Sequence, residues 1–578
     1  MSRRLLRLAL LLVPVAIAVS SCRHGGTRPT VDIGTYLGGQ TGLVQAEPVF
    51  GAHGMVASNS GLASEAGAEI LKQGGNAVDA AVATGFALAV TYPFAGNIGG
   101  GGFMNIHMAD GRAAAIDYRE VAPLAASRDM YVDPATGKLT NKSTLGHLAS
   151  GVPGSVAGMA DALAKYGTMT LAQVMAPAIR LAKDGFEMDS ALFRSLRGNK
   201  NVLSQFAGKD LFYPGGDAPA PGTRFVQAEL AHTLELIAAK GPAGFYEGEV
   251  ADALVAEEKR GGGIITHEDL KRYKAEWRTP IKSTYRGYTL YTMPPASSGG
   301  ITMTETMNIL ETFGPLPKYG TAAYTHLLAE AFRRSFIDRN AKLGDPAFVK
   351  VPLEQLTSKA YAKELAGTID RTHATKTPAF KSGAEPDHTT HYSVADNSGN
   401  VVSTTTTLNG GYGSGVWIPK GGFFMNNEMD DFAAQPGSPN MFGLVQGEAN
   451  AIVPGKRMLS AMAPTIVMDR DGKALLVVGA AGGPRIITTV TQVILNVIEH
   501  DMSLGDAMRA PRLHHQSLPD ELLVEDGALS PAVSDSLKAF GHTLKRAGGL
   551  ANANGIMRVK GGWIGVREPR SAGKAVGY

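Results

Sequence analysis

The sequence predicts a large protein of mixed α/β class. Several segments of helical length are apolar on one face or throughout, the clearest being 79–90. Elsewhere the hydrophobic pattern takes the period of two expected of strands, above all over 391–395 and 401–407. Of 578 residues 44% are hydrophobic and 71 are glycine, enough to close a sizeable core around closely approaching backbone.

The chain opens on a targeting segment. Arg3, Arg4 and Arg7 precede an apolar run over 8–19. That run is shorter than the about 20 residues of a membrane-spanning helix, and it has the length of a secretory signal core. It ends in Val19-Ser20-Ser21-Cys22, which resembles the bacterial lipoprotein box. On that reading 1–21 is a signal peptide, Cys22 becomes the lipidated first residue, and 22–45 is a polar tether. The alternative is an ordinary cleaved signal peptide with an unmodified Cys22; the Arg3-Arg4 pair is a weak twin-arginine feature. Cys22 is the single cysteine, which excludes an intrachain disulfide, a thiolate metal site and a cysteine nucleophile in the core. A net charge of +3 without a basic block gives no reason to expect a nucleic-acid partner.

Beyond the tether a strand is expected over 54–58 and a helix over 61–73, stopped by Gly74-Gly75-Asn76. A buried helix follows over 79–90, then strands near 102–108 and 113–117 about the turn Ala109-Asp110-Gly111-Arg112. From 150 to 380 the pattern is mainly helical, with helices expected over 156–166, 171–184, 228–239 and 322–337. Residues 370–388 turn polar and loop-like, an exposed place at which a chain can be opened. The strands over 391–395 and 401–407 flank Asp396-Asn397-Ser398-Gly399-Asn400, a hairpin signal. Further strands are expected over 422–426, 464–468 and 474–479, and a helix over 487–499. No internal repeat or long low-complexity linker divides the chain.

Three features invite chemical readings. The glycines from Gly96 to Gly102 lack the Lys-Ser/Thr of a phosphate-binding loop, and Met104 occupies the place of the last Rossmann glycine. Tight packing of a loop explains the run better than a nucleotide site. His391, His514 and His515 have no metal-ligand spacing around them, so hydrogen bonding in the core is the favoured role and no metal is expected. Thr389 opens the strand that follows the polar loop. A mid-chain threonine is a poor nucleophile, but if the preceding peptide bond is cut its α-amine can serve as its own base. Taken alone, Thr389 and the hydroxyls over 402–409 are also ordinary strand composition.

Read together, several segments resemble γ-glutamyltransferases. They are Asn76-Ala77-Val78-Asp79, the glycine run through Phe103, Asp117-Tyr118-Arg119-Glu120, Thr389-Thr390-His391-Tyr392-Ser393, Asn426-Asn427-Glu428-Met429-Asp430-Asp431-Phe432 and Gly482-Gly483-Pro484-Arg485. Ser150-Gly151-Val152-Pro153-Gly154 and Pro569-Arg570 extend the resemblance over essentially all of 46–578. It implies a four-layer αββα sandwich of the N-terminal-nucleophile hydrolase type, made as one precursor that cuts itself between His388 and Thr389. The parts would be a large subunit, 46–388, and a small catalytic subunit, 389–578, held as a heterodimer.

The same resemblance assigns roles. Thr389 attacks the γ-glutamyl amide of glutathione or a related compound and passes the acyl group to water or to an amino acid or peptide acceptor. Thr407 orients the nucleophile, and Gly482 and Gly483 supply backbone N–H groups to the oxyanion. Arg119 clamps the substrate α-carboxylate; Asn409, Glu428 and Asp431 surround its α-ammonium. No cofactor is implied, and contact with the membrane only through the lipid on Cys22. The chain departs from the family at Ser460-Ala461, where paired serines are usual, and at Phe442, where many bacterial relatives carry a lid tyrosine. These departures keep a related acylase or poly-γ-glutamate-processing enzyme as an alternative activity. A non-catalytic lipoprotein that keeps the fold is the alternative from another class.

Overall fold

The computed structural model describes residues 47–377 and 389–578. The signal and tether segments, Cys22 and His388 lie outside the described residues. Two seven-stranded antiparallel sheets form the centre. Their strands are β1 (Val49–Gly51), β2 (Met55–Ser58), β3 (Gly101–His107), β4 (Ala113–Asp117), β5 (Glu276–Arg278), β6 (Ile281–Tyr285) and β7 (Tyr288–Thr292). They continue with β8 (Thr390–Ala395), β9 (Val401–Thr407), β10 (Thr465–Met468), β11 (Ala474–Ala481), β12 (Asn552–Val559), β13 (Gly562–Val566) and β14 (Lys574–Gly577). One sheet runs β1-β13-β12-β11-β10-β7-β6, the other β14-β2-β8-β9-β3-β4-β5.

Eight helices matter to the layering: α1 (Gly61–Lys72), α2 (Ala77–Thr91), α3 (Ser155–Tyr166), α4 (Leu171–Asp184), α5 (Ala228–Lys240), α6 (Gly299–Glu311), α7 (Ala322–Lys342) and α8 (Arg485–Ile498). The first two pack on the outer face of the second sheet, with α4 and α5 stacked behind them. On the first sheet lie α6 and α8, with α7 against α6. The result is the αββα sandwich. The elements named from the sequence are present with shifted ends, but β5, β6 and β7 fall inside the stretch expected to be mainly helical, and β12, β13 and β14 were not anticipated. The strand expected over 422–426 shrinks to Phe423–Phe424, and α8 begins two residues earlier than expected.

Local chemistry explains these elements. Every residue of α2 is buried, so it is apolar all round and needs a strong start. Asn76 accepts from the N–H groups of Val78 (2.8 Å) and Asp79 (3.1 Å), while Asp79 accepts from that of Asn76 (2.7 Å), a capping box. The glycine run is a packing device. A Cβ on Gly99 would stand 2.1 Å from the Phe424 carbonyl oxygen, and one on Gly100 2.2 Å from that of Thr407.

The layer between the sheets is apolar at one end and polar at the other. Met55, Ala395, Ile466, Val477, Ile556 and Trp563 fill the first part. Toward the starts of β8 and the ends of β9 and β11, His391 bonds Thr405 (2.9 Å) and Ser393 (3.0 Å), and Ser393 donates to the Val477 carbonyl (3.2 Å). Burial pushes the His391 imidazole down to about 3, so it is neutral at working pH and structural. His514 likewise bonds Thr488 (2.9 Å) and Gln516 (2.9 Å).

Candidate active site

The antiparallel register of β8 and β9 pairs Thr390 with Thr406 and His391 with Thr405. One residue further, Thr389 faces Thr407, and their hydroxyl oxygens are 3.4 Å apart. Thr407 is itself fixed. Its Oγ1 accepts the N–H of Asn409 (2.7 Å), and its carbonyl accepts from Asn97 Nδ2 (2.8 Å), whose own Oδ1 is held by Ser155 Oγ (2.6 Å). Asn97 is a support that sequence reasoning passed over, because inside the glycine run it reads as one more turn residue.

Gly482 and Gly483 follow the end of β11 with φ of 132° and 55°, conformations that favour glycine. Their carbonyls accept the N–H groups of Arg485 and Ile486 (3.1 Å each) as α8 begins. The positive end of that helix dipole therefore lies behind them. A Cβ on Gly483 would meet the Phe442 ring at 2.7 Å. The loop bearing Phe442 is pinned by Asp430, which accepts the Met441 N–H (2.8 Å), and by Gln516, which donates to the Phe442 carbonyl (3.2 Å).

A pocket of about 320 Å³ of empty space opens beside Thr389. Arg119, Thr407, Asn409, Asp431, Ser460, Ala461 and Gly483 all line it. Glu428 stands behind Arg119 and is not part of the lining. Arg119 is fully buried. Its Nη1 is 2.8 Å from Glu428 Oε2 and 3.6 Å from Glu120 Oε2, and its Nη2 pairs with Asp431. Asp117 holds its backbone N–H (3.0 Å) and Tyr273 its carbonyl (2.8 Å). Burial alone lowers the Arg119 pKa, but Glu428, Asp431 and Glu120 outweigh it and keep the guanidinium charged. Burial pushes Glu120 up to about 8 and Glu428 well above its ordinary value, with Arg119 opposing in both. Three carboxylates around one buried cation do not all ionise together near neutral pH.

Asn409 sits at φ 71° with its Nδ2 on the Asn427 carbonyl (3.1 Å). The Ser460 hydroxyl oxygen accepts the Met462 N–H (3.1 Å), which leaves its proton to be donated. Arg339 also lines the pocket and was not anticipated. It is a buried arginine on α7, bonded to Ser298 Oγ (3.1 Å) and Gln446 (3.1 Å), its pKa pushed down to about 10 by burial and partly restored by Asp431. On a helix rich in basic residues nothing in the sequence singles it out. Leu444, Leu459, Met462 and Phe442 give the pocket an apolar wall. Among the described residues no cluster of His, Cys, Asp and Glu could hold a metal ion.

A hydroxyl at a strand start, a second hydroxyl beside it, backbone N–H groups at a helix start and a charged clamp make an arrangement suited to acyl transfer. Comparison with known proteins agrees. The model of the family described as gamma-glutamyltranspeptidase matches residues 63–578. The glutathione hydrolase proenzyme of Escherichia coli (strain K12) is 48% identical over 533 residues, covering 91% of each chain. The crystal structure of a cephalosporin acylase from Bacillus halodurans superposes with a TM-score of 0.82 at 29% identity, covering 93% of this chain and 97% of that one. That of the Helicobacter pylori gamma-glutamyltranspeptidase gives 0.53 at 43% identity, covering 54% and 91%. The chain belongs to the γ-glutamyltranspeptidase family.

Proposed function

We propose that Thr389 is the nucleophile of a self-processing γ-glutamyltransferase and glutathione hydrolase. The observation that carries the assignment is the convergence of Thr389, Thr407, Gly483 and the Arg119–Asp431 pair on one pocket. In maturation, Thr389 Oγ1 bonds to the His388 carbonyl carbon and the C–N bond breaks, the hydroxyl proton passing to the new amine. Water then hydrolyses the ester, giving a large subunit that ends at His388 and a small subunit 389–578.

The freed α-amine, of pKa near 8, takes the Thr389 proton in catalysis. Attack on the γ-glutamyl amide gives a tetrahedral intermediate whose oxyanion receives the N–H groups of Gly482 and Gly483, and its collapse expels the amine and leaves the acyl-enzyme. One such donor is worth about 3 kcal/mol of barrier. The leaving amine departs protonated, and water or an amino acid or peptide amine accepts the glutamyl group. Arg119 and Ser460 hold the substrate α-carboxylate. Asn409 and Asp431 receive its α-ammonium, with Glu428 behind. Export through the 1–21 signal and lipid attachment at Cys22 would place the enzyme in the cell envelope; loss of lipid labelling in Cys22→Ala tests that part.

The apolar wall and Ala461 favour one second reading, an acylase acting on glutaryl rather than glutamyl amides. Comparing p-nitroaniline release from γ-glutamyl-p-nitroanilide and glutaryl-p-nitroanilide, which lacks the α-amine, decides between them. The glutamyl substrate is expected to turn over at least tenfold faster by kcat/KM. Equal turnover would contradict the ammonium site.

A further inference from the structure

Arg119 and Arg339 both line the pocket, but they differ in what surrounds them. Each nitrogen of Arg119 has a protein partner. Nε donates to the Met458 carbonyl (3.3 Å), Nη1 is 2.8 Å from Glu428, and Nη2 pairs with Asp431. Its charge is balanced before any substrate arrives. Arg339 is buried as well, yet it bonds neutral groups alone. Nε donates to Ser298 Oγ (3.1 Å), and Nη1 to Asn340 Oδ1 (2.9 Å) and Gln446 Oε1 (3.1 Å). Among the described residues its Nη2 donates to no group and no carboxylate pairs with it; Asp431 acts on it at longer range.

A buried cation without a counter-charge is unfavourable, and a glutamine or leucine would fill the same place without desolvating charge. The penalty is offset when a ligand of the pocket brings the partner. The contacts of Arg339 reach the residues proposed for the α-end of the substrate. Ser298 Oγ, which accepts from Arg339, donates to the Ser460 carbonyl (2.6 Å), and Gln446 Nε2 donates to the Asp431 carbonyl (3.0 Å). A carboxylate docking beside Arg119 alone would also meet Glu428, Asp431 and Glu120 around that one cation. A second cation on the pocket wall turns the local balance toward an anion.

We propose that Arg339 is a second substrate-binding arginine, the unpaired positive charge that the substrate α-carboxylate meets together with Arg119. The inference rests on the glutamyl reading of the pocket. The test compares matured, active-site-titrated wild type, Arg339→Gln and Arg339→Lys on three p-nitroanilides. These are γ-glutamyl, glutaryl, which lacks the ammonium, and 4-aminobutyryl, which lacks the carboxylate. None carries a carboxylate in its leaving group, so the comparison reads the α-end. Arg339→Gln should lower kcat/KM at least tenfold for the first two and stay within twofold of wild type on the third. Arg339→Lys, which keeps the charge without the fork, should lose less in the same order. Equal losses on all three substrates, or no loss on any, would overturn the proposal. So would loss on the two ammonium-bearing substrates with glutaryl spared, which marks an effect through Asp431. If Arg339→Gln fails to mature, the three ratios for Arg339→Lys decide by the same criteria. Wild type that turns over all three substrates equally would instead sink the glutamyl reading on which the proposal stands.

Discussion

Arg119 and Glu428 meet at 2.8 Å with both side chains fully shielded from water, and Asp431 closes the other arm of the same guanidinium. A planar fork is held by two carboxylates so that it faces the pocket in one orientation. Lysine would keep the charge and lose the fork. Arg119→Lys should lower kcat/KM by roughly 30- to 1000-fold, the loss of two charge-assisted bonds at about 1.5–3 kcal/mol each less what the ammonium recovers. It should do so for γ-glutamyl- and glutaryl-p-nitroanilide alike, since both carry the carboxylate. Steady-state kinetics on the pair checks this, with unequal losses counting against the assignment.

The clamp should also give a pH signature. Burial raises the Glu120 pKa to about 8, so Glu120 holds a proton below that pH and loses it above. Burial raises Glu428 as well, against the opposing charge of Arg119. A proton on this cluster competes with the substrate ammonium. The kcat/KM for γ-glutamyl-p-nitroanilide should therefore rise more steeply between pH 6 and 8 than that for the glutaryl analogue. The Thr389 amine titrates identically in both profiles and cancels in the ratio. Glu120→Gln should flatten the ratio; an unchanged ratio profile would remove the clamp from the pH dependence.

Ala461 lines the pocket beside Ser460 without a donor of its own. Ala461→Ser should lower KM for γ-glutamyl substrates by roughly three- to tenfold, one added hydrogen bond of about 1 kcal/mol. An unchanged or higher KM would show that this wall does not face the α-carboxylate.

Gly483 and Phe442 are packed so closely that a methyl at Gly483 must displace the ring. Its φ of 55° adds backbone strain. Gly483→Ala keeps the N–H donor yet should cost kcat at least tenfold, and Phe442→Ala in the same chain should recover part of it by removing the clash. No recovery in the double variant would assign the loss to the backbone alone.

Stability should respond to a carboxylate outside the site. Burial raises Glu305 from 4.5 to about 9, with Asp338 adding to the shift. The native state keeps this proton where the unfolded chain has lost it, so the contribution is full below about pH 4.5 and fades as pH rises through about 9. Glu305→Gln should therefore gain on wild type as pH rises from 5 to 9, by about 1.4 kcal/mol for each pH unit over which only the native state holds the proton. Melting curves at both pH values check the sign.

The strands and helices nearest the site were largely legible because their signals are local. Alternation over 391–407 marks the hairpin, and Asn76 with Asp79 marks the helix start, each readable from neighbouring residues. The candidate residues Arg119, Thr389, Thr407, Asn409, Asp431, Ser460, Ala461 and Gly483 are scattered over 365 positions and gather in one pocket. Periodicity cannot announce that; the resemblance of ordered motifs did. What stayed hidden depends on long-range contact. Arg339 is one basic residue among several on α7, and Asn97 bonds a carbonyl 310 residues away. The pairing of Glu428 with Arg119, behind the pocket wall, likewise needs three dimensions to be seen.

The central claim is that Thr389 becomes an N-terminus by its own attack. Intact-mass spectrometry of the purified protein, wild type beside Thr389→Ala, tests it most directly. The account predicts two chains for wild type, the smaller beginning at Thr389, and a single uncut chain for the variant. A single chain in fully active wild type, or normal cutting of Thr389→Ala, would contradict it.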